Sequence, residues 1–190
     1  MGIKLLPVMV SDAEPLIHLA QISKLHLLKK LFNRVIITPN VKREAVDEGV
    51  KLGHADALII GKALEEGWVI VEAVPKRLVS ASKRLAEGEK ISRVDAETLL
   101  FAREKRAEVL VDEKALSNLA RMFGLKTWNT WTVLLESLRR NYIEVSDIEA
   151  AIKELGEKRH KLRKEQAEQI LEVAKLITYK RRPNTINDSF

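Results

Sequence analysis

The sequence predicts an α/β fold: a twisted parallel sheet of about five strands flanked by helices, followed by a C-terminal helical extension. Three observations carry that expectation. Short apolar runs alternate with segments of helical period from residue 8 to about residue 140. Two of the runs, Val8-Met9-Val10-Ser11-Asp12 and Val109-Leu110-Val111-Asp112, each end on an aspartate, as strands of an open parallel sheet do when they build a site at their C-terminal ends. Beyond residue 140 only helical periodicity remains.

Strands are expected near 8–11, 34–38, 68–73, 108–111 and 125–128. The first leads into a helix from Ala13 to about Ser23, with Pro15 tolerated in its first turn. Lys24–Leu31 is a short second helix, placing Leu25, Leu28 and Leu31 on one face. Thr38-Pro39 supplies an N-cap and a first-turn proline for a helix reaching Glu48, with Gly49 as its stop. The next helix, His54 to Glu66, ends at Gly67. Residues 77–86 are helical and basic, and Glu87-Gly88-Glu89 breaks the pattern. Ser92-Arg93-Val94-Asp95 has the form of a capping box for a helix to about Arg106. Helices 113–122 and 130–140 complete the alternation.

The C-terminal part differs. Ser146-Asp147-Ile148-Glu149 is a capping box opening a helix to about Leu155, Gly156 interrupts, and a long helix runs from Lys158 to Tyr179. Residues 1–140 thus form the main domain, 141–180 a helical extension and 181–190 a flexible tail.

Composition narrows the function. The hydrophobic fraction of 46% and charged fraction of 32% describe a globular chain, with no run approaching the roughly 20 apolar residues of a membrane span. The first residues do not form a signal peptide, which points to the cytoplasm. With no cysteine, disulfides and thiolate metal sites are excluded. The four histidines lack metal-ligand spacing, so any metal would take oxygen ligands, as Mg²⁺ and Mn²⁺ do. A net charge of +6 around an acidic pocket suits a phosphate-backbone substrate.

Four acids stand out by position. Asp12 and Asp112 end strands, Glu44 lies one turn into the helix after the second strand, and Asp95 opens the helix before the fourth. In a doubly wound sheet these places converge near the topological switch point. Like charges gathered there repel unless a cation sits among them, and two metals about 3.5–4 Å apart can activate water and stabilise a leaving oxygen. Each acid also has a plain structural role open to it: Asp12 and Asp112 as helix N-caps, Asp95 as a capping-box partner, Glu44 as a solvated helix residue. On the residues alone, a carboxylate–metal site is as far as the chemistry goes.

A resemblance extends this. Val10-Ser11-Asp12-Ala13-Glu14-Pro15-Leu16-Ile17-His18-Leu19-Ala20 resembles the opening motif of the PIN-domain family. Thr38-Pro39-Asn40-Val41-Lys42-Arg43-Glu44 is similar to its second block, Pro-x-Val-x-x-Glu. Asp95-Ala96-Glu97 and Val111-Asp112-Glu113 resemble its third and fourth blocks, and Asn129-Thr130-Trp131-Thr132-Val133-Leu134-Leu135 resembles a Gly-Thr-x-Gly-Val-Leu-Leu run. The likeness spans about residues 7–140. It implies a three-layer α/β/α fold and a metal-dependent endoribonuclease that cleaves single-stranded RNA. Asp12, Glu44, Asp95 and Asp112 would be the catalytic residues, holding Mg²⁺ or Mn²⁺. Glu97 competes with Asp95 for the third place and Glu113 with Asp112 for the fourth. Many prokaryotic members are toxins, so the resemblance also implies an antitoxin protein as a partner and a homodimer or higher homo-oligomer. Glu14 stands where the family carries a small residue or Ser, Gly or Thr, and the C-terminal helices exceed a minimal toxin. These departures motivate the alternative of a catalytically weak or inactive nucleic-acid-binding or scaffolding member.

Other sites fit less well. A haloacid-dehalogenase phosphatase needs an acid-donating aspartate where Glu14 stands, a receiver domain needs a third-strand aspartate that Trp68–Ala73 does not offer, and no phosphate-cradling or dinucleotide glycine motif is present. His18 is read as structural on an apolar helix, and Trp128 and Trp131 as core rather than base-stacking residues. The basic segment 158–164 is read as a solvated face paired with Glu157, Glu165 and Glu168, whereas Lys83, Arg84, Lys90 and Arg93 lie on the approach to Asp95.

Overall fold

In the computed structural model the apolar runs form five parallel strands: β1 Val8–Ser11, β2 Arg34–Ile37, β3 Val69–Val71, β4 Glu108–Leu110 and β5 Thr127–Trp128. The structure describes residues 6–158 and 162–181. Strand order is β3-β2-β1-β4-β5, so the chain winds outward from β1 in both directions and the switch point lies between β1 and β4. Met9 and Val10 of β1, Val35, Ile36 and Ile37 of β2, and Val109 and Leu110 of β4 are buried without remainder. Consecutive residues can all be apolar because helices cover both faces of a parallel sheet. Each such side chain contributes about 1.5–3 kcal/mol. The edge strands are shorter and half covered: β3 spans three residues and Val71 is exposed, while β5 spans two.

Close contacts divide the chain into two compact units, Met1–Thr130 and Trp131–Phe190. The first holds the sheet with α1 (Ala13–Gln21), α2 (His26–Leu31), α3 (Pro39–Lys42), a π-helical turn (Arg43–Glu48), α4 (Gly49–Lys51), α5 (Ala55–Glu65), α6 (Lys76–Glu89), α7 (Arg93–Lys105) and α8 (Lys114–Met122). Thr38 caps α3 as expected, its hydroxyl accepting the Val41 N–H at 3.3 Å. The second holds α9 (Thr130–Arg139) from Trp131 onward, α10 (Val145–Glu157) and α11 (Lys164–Arg181). Here α10 packs on α11, burying Ile148, Ala151, Leu155 and Ala174, while Glu136 pairs with Arg139 and Arg140.

Two glycines expected to stop helices do not. Gly49 keeps helical angles (φ −63°), and a Cβ there would lie 2.6 Å from that of Ala57, so it serves the close approach of α4 to α5. The turn is made by Gly53 at φ +73°. Gly88 lies inside α6, which ends only at Lys90 in the left-handed region (φ 56°). The Asp147 carboxylate accepts the Glu144 N–H at 2.8 Å, which moves the start of α10 ahead of the expected Ser146 cap, and the helix runs through Gly156 to Glu157. The last helix begins at Lys164 rather than Lys158, which instead ends α10; the basic residues 159–161 lie outside the described residues. Lys164 pairs with Glu168 at 3.8 Å, as the solvated-face reading expects.

Candidate active site

The crevice between β1 and β4 is where the strand-end residues meet. Ser11 is in register with Leu110, and the Asp12 N–H donates to the Leu110 carbonyl at 3.0 Å. Asp12 occupies the N-cap place of α1, yet its side chain makes no capping bond. Burial pushes its carboxyl up to about 7; the Ala13 N–H opposes this, and the charges of Asp95, Glu44 and Glu14 add to it. Glu44, exposed on the π-helical turn, is raised first by burial and then by Asp95 and Glu48, against Arg43. Rare turns of this kind concentrate at functional positions. Asp95 is half-buried and closes the expected capping box: its carboxylate accepts the Ser92 N–H at 3.2 Å, and its own N–H donates to Ser92 Oγ at 3.0 Å.

Asp112 is held differently. Its Oδ1 accepts the Thr130 N–H at 2.7 Å, and its Oδ2 accepts the Thr130 hydroxyl at 2.7 Å and His18 Nδ1–H at 2.6 Å. It connects electrostatically to the other acids through Glu14, whose carboxyl is raised by burial, lowered by His18, and raised again by Asp112, Glu113 and Asp95. Glu113 takes the N-cap place of α8 without a capping bond. Glu97 is only 3% exposed and accepts from Asn40 Nδ2 at 3.1 Å, which ties α7 to α3.

The structure therefore brings Asp95, Glu44 and Glu14 within electrostatic reach of Asp12, sets Asp112 within reach of Glu14, and turns Glu97 to Asn40. Among the described residues no three acidic or histidine side chains are grouped closely enough to hold an ion as they stand. The donor chemistry nevertheless fits a hard divalent cation, because the ligands are all oxygens and the repulsion acting on Asp12 is what such a charge relieves. Sequence reasoning missed His18, Thr130 and Asn40 as neighbours of the acids. His18 shares a helix with Glu14 at i, i+4, a signal that an apolar-face reading overrides. Trp128 is half-buried, edge-on to Phe32 at 5.2 Å between centroids, in line with the core reading.

An open parallel sheet with acids converging at its switch point defines a carboxylate-centred α/β site protein. More particularly, a family model described as PIN domain (DUF3368) matches residues 8–176, and the chain belongs to that family. PIN domains are generally nucleases that use divalent metals. Among solved structures, PAE2754 from Pyrobaculum aerophilum is similar in fold at 17% identity, covering 70% of this chain and 97% of that one with a TM-score of 0.51. A PilT N-terminus domain protein, SSO1118, from the archaeon Sulfolobus solfataricus P2 shares 20% identity over 69% of this chain and 93% of its own, with a TM-score of 0.45. No curated protein matches the chain. Among the described residues no helix is long and apolar enough to cross a membrane.

Proposed function

We propose that this chain is a metal-dependent endoribonuclease acting on single-stranded RNA. The observation that carries the reading is Asp12: a carboxyl at the end of β1, pushed up to about 7 by burial, with Asp95, Glu44 and Glu14 adding their charge. Asp12, Asp95, Glu44 and Asp112 would hold Mg²⁺ or Mn²⁺, with Glu113 at the margin and Glu97 engaged by Asn40. Such an ion, when bound, makes a water more acidic and neutralises charge gathering on a phosphoryl oxygen.

The chain's own residues supply the rest. The β1 end fixes Asp12 by its backbone bond to Leu110, and the capping box fixes Asp95 at the start of α7. Lys83, Arg84, Lys90 and Arg93 are exposed on α6 and at the start of α7. The Arg77–Glu104 ion pair joins the N-terminal part of α6 to the C-terminal part of α7, so the two helices run antiparallel and this basic flank ends beside Asp95. Lys83 and Arg84 lie on α6 itself and Lys90 at its left-handed end, exposed cations suited to contacts with a phosphate backbone. Positive charge leading to an acidic centre is what a sequence-tolerant nuclease needs, and these residues support that reading.

A toxin role with an antitoxin partner and self-association belongs to the same proposal; growth arrest on expression, relieved by the product of a small adjacent reading frame, tests it. The absence of a closed ligand group among the described residues favours, as a second reading, a member that binds nucleic acid with weak or no cleavage. Purified Asp12→Asn protein distinguishes the two. The nuclease reading expects Mg²⁺- or Mn²⁺-dependent cleavage of a single-stranded RNA oligonucleotide by the wild type, lost in the folded variant. Equal cleavage by both proteins contradicts it.

A further inference from the structure

We propose that His18 is a positioning residue: together with Thr130 it clamps the Asp112 carboxylate so that only one oxygen position, on Oδ1, stays open to a ligand. The inference rests on the metal-dependent reading above and goes beyond it by assigning how Asp112 takes part.

An ionised carboxylate offers about four lone-pair positions. In Asp112 three are occupied: one on Oδ1 by the Thr130 N–H, and both on Oδ2 by the Thr130 hydroxyl and His18 Nδ1–H. Oδ2 is therefore full, and Oδ1 retains a single place. Thr130 alone grips both oxygens, its N–H on Oδ1 and its hydroxyl on Oδ2. The third donor comes from a different element: His18, on α1 and only 7% exposed, fills the second position on Oδ2 and ties the carboxylate to that helix. Its neighbours Leu16, Leu19 and Ala20 on that helix are buried, so the imidazole has a rigid base.

Helix α1 begins directly after Asp12. The same short helix thus carries the β1 aspartate at its start and grips the β4 aspartate from its middle, fixing the separation of the two carboxylates across the switch point. Donors hydrogen-bonded to a ligating carboxylate commonly act in this way, and loss of such partners lowers metal affinity or activity by about 10–100-fold. A histidine serving packing alone would not be sensitive to which of its ring positions carries the donor.

Two variants of the full-length chain use that sensitivity. His18→Leu removes the donor while keeping an apolar side chain; His18→Asn retains an N–H donor close to the Nδ1 position. Titration calorimetry with Mn²⁺ reads the effect without requiring cleavage, and thermal unfolding reports the structural cost. The expected result is Mn²⁺ affinity about tenfold or more weaker in His18→Leu and close to wild type in His18→Asn. The thermal stabilities of the two variants are not expected to follow that order. Cleavage of a single-stranded RNA oligonucleotide should show the same pattern in kcat with KM little changed. Equal Mn²⁺ affinity in wild type and a folded His18→Leu overturns the clamp alone, whereas a wild type that takes up no Mn²⁺ overturns the metal reading and the clamp with it. Should His18→Leu fail to fold, imidazole nitrogen resonances of the wild type decide: the clamp requires a protonated Nδ1 whose signal shifts in Asp112→Asn, and an unchanged signal overturns it.

Discussion

The two strand-end aspartates have matching places in the sequence and opposite surroundings. Asp112, at the end of β4, is met by three hydrogen-bond donors from Thr130 and His18. Asp12, at the end of β1, is half-buried, makes no capping bond and faces the charges of Asp95, Glu44 and Glu14. One carboxylate is stabilised by the protein alone; the other is stabilised fully only when a proton or a cation joins it. Adjacent strands thus supply a fixed arm and an electrostatically loaded one, and in the proposed reading the loaded arm is where a cation would gain most.

The largest expected effect falls on the loaded arm. Asp12→Asn should reduce divalent-metal-dependent RNA cleavage to background, measured as product per unit time from an end-labelled single strand, while circular dichroism remains that of the wild type. Retained cleavage would break the comparison at its functional end.

Stability should then separate the two arms by sign. The folded Asp12 carboxyl titrates at about 7 against an ordinary 3.8. A raised carboxyl binds more protons folded than unfolded, so without metal its penalty is absent below the ordinary value and grows as pH rises toward 7. Asp12→Asn should therefore match the wild type near pH 3.5 and exceed it at pH 7.5 by on the order of 4 kcal/mol at most. Asp112→Asn places an amide against the Thr130 hydroxyl and His18 donors, and should lower stability by about 1–3 kcal/mol. Urea unfolding in chelator at the two pH values checks both; destabilisation of similar size in the two variants would mean that the arms do not differ.

A smaller effect concerns the approach to the loaded arm. Reversing charge with Lys83→Glu and Lys90→Glu should weaken single-stranded RNA binding about tenfold and flatten its dependence on salt by roughly 1–2 in log–log slope. Fluorescence anisotropy over a salt series measures it, with Asp12→Asn as the background to prevent cleavage. An unchanged slope would remove α6 from the substrate path.

What could be read from the chain follows from how local each cause is. An apolar run ending on aspartate is a local pattern, and it located β1, β4 and their carboxylates correctly in the sheet. The Ser92–Asp95 capping box is equally local, spanning three residues. The His18–Asp112 bond joins residues 94 apart and the Asn40–Glu97 bond residues 57 apart, and no periodicity encodes either. Gly49 and Gly53 look alike as helix stops; only the approach of Ala57 shows that the first serves packing and the second the turn. Likewise the π-helical turn under Glu44 is not written in a propensity, since Val41, Ala45 and Val46 all bury as an ordinary amphipathic helix would. The departures thus lie where tertiary contacts override local preference, and several of them surround the acids.

Mn²⁺ titration of wild type and Asp12→Asn by calorimetry across pH 5.5 to 8 tests the central claim most directly. A cation that takes the place of the Asp12 proton gains affinity as that proton leaves, by at most about tenfold per pH unit, and releases protons on binding. The account predicts wild-type affinity that rises to about pH 7 and then levels, with Asp12→Asn binding far more weakly and without that rise. Mn²⁺ binding of equal strength and equal pH dependence in the two proteins, or none in the wild type, would contradict it.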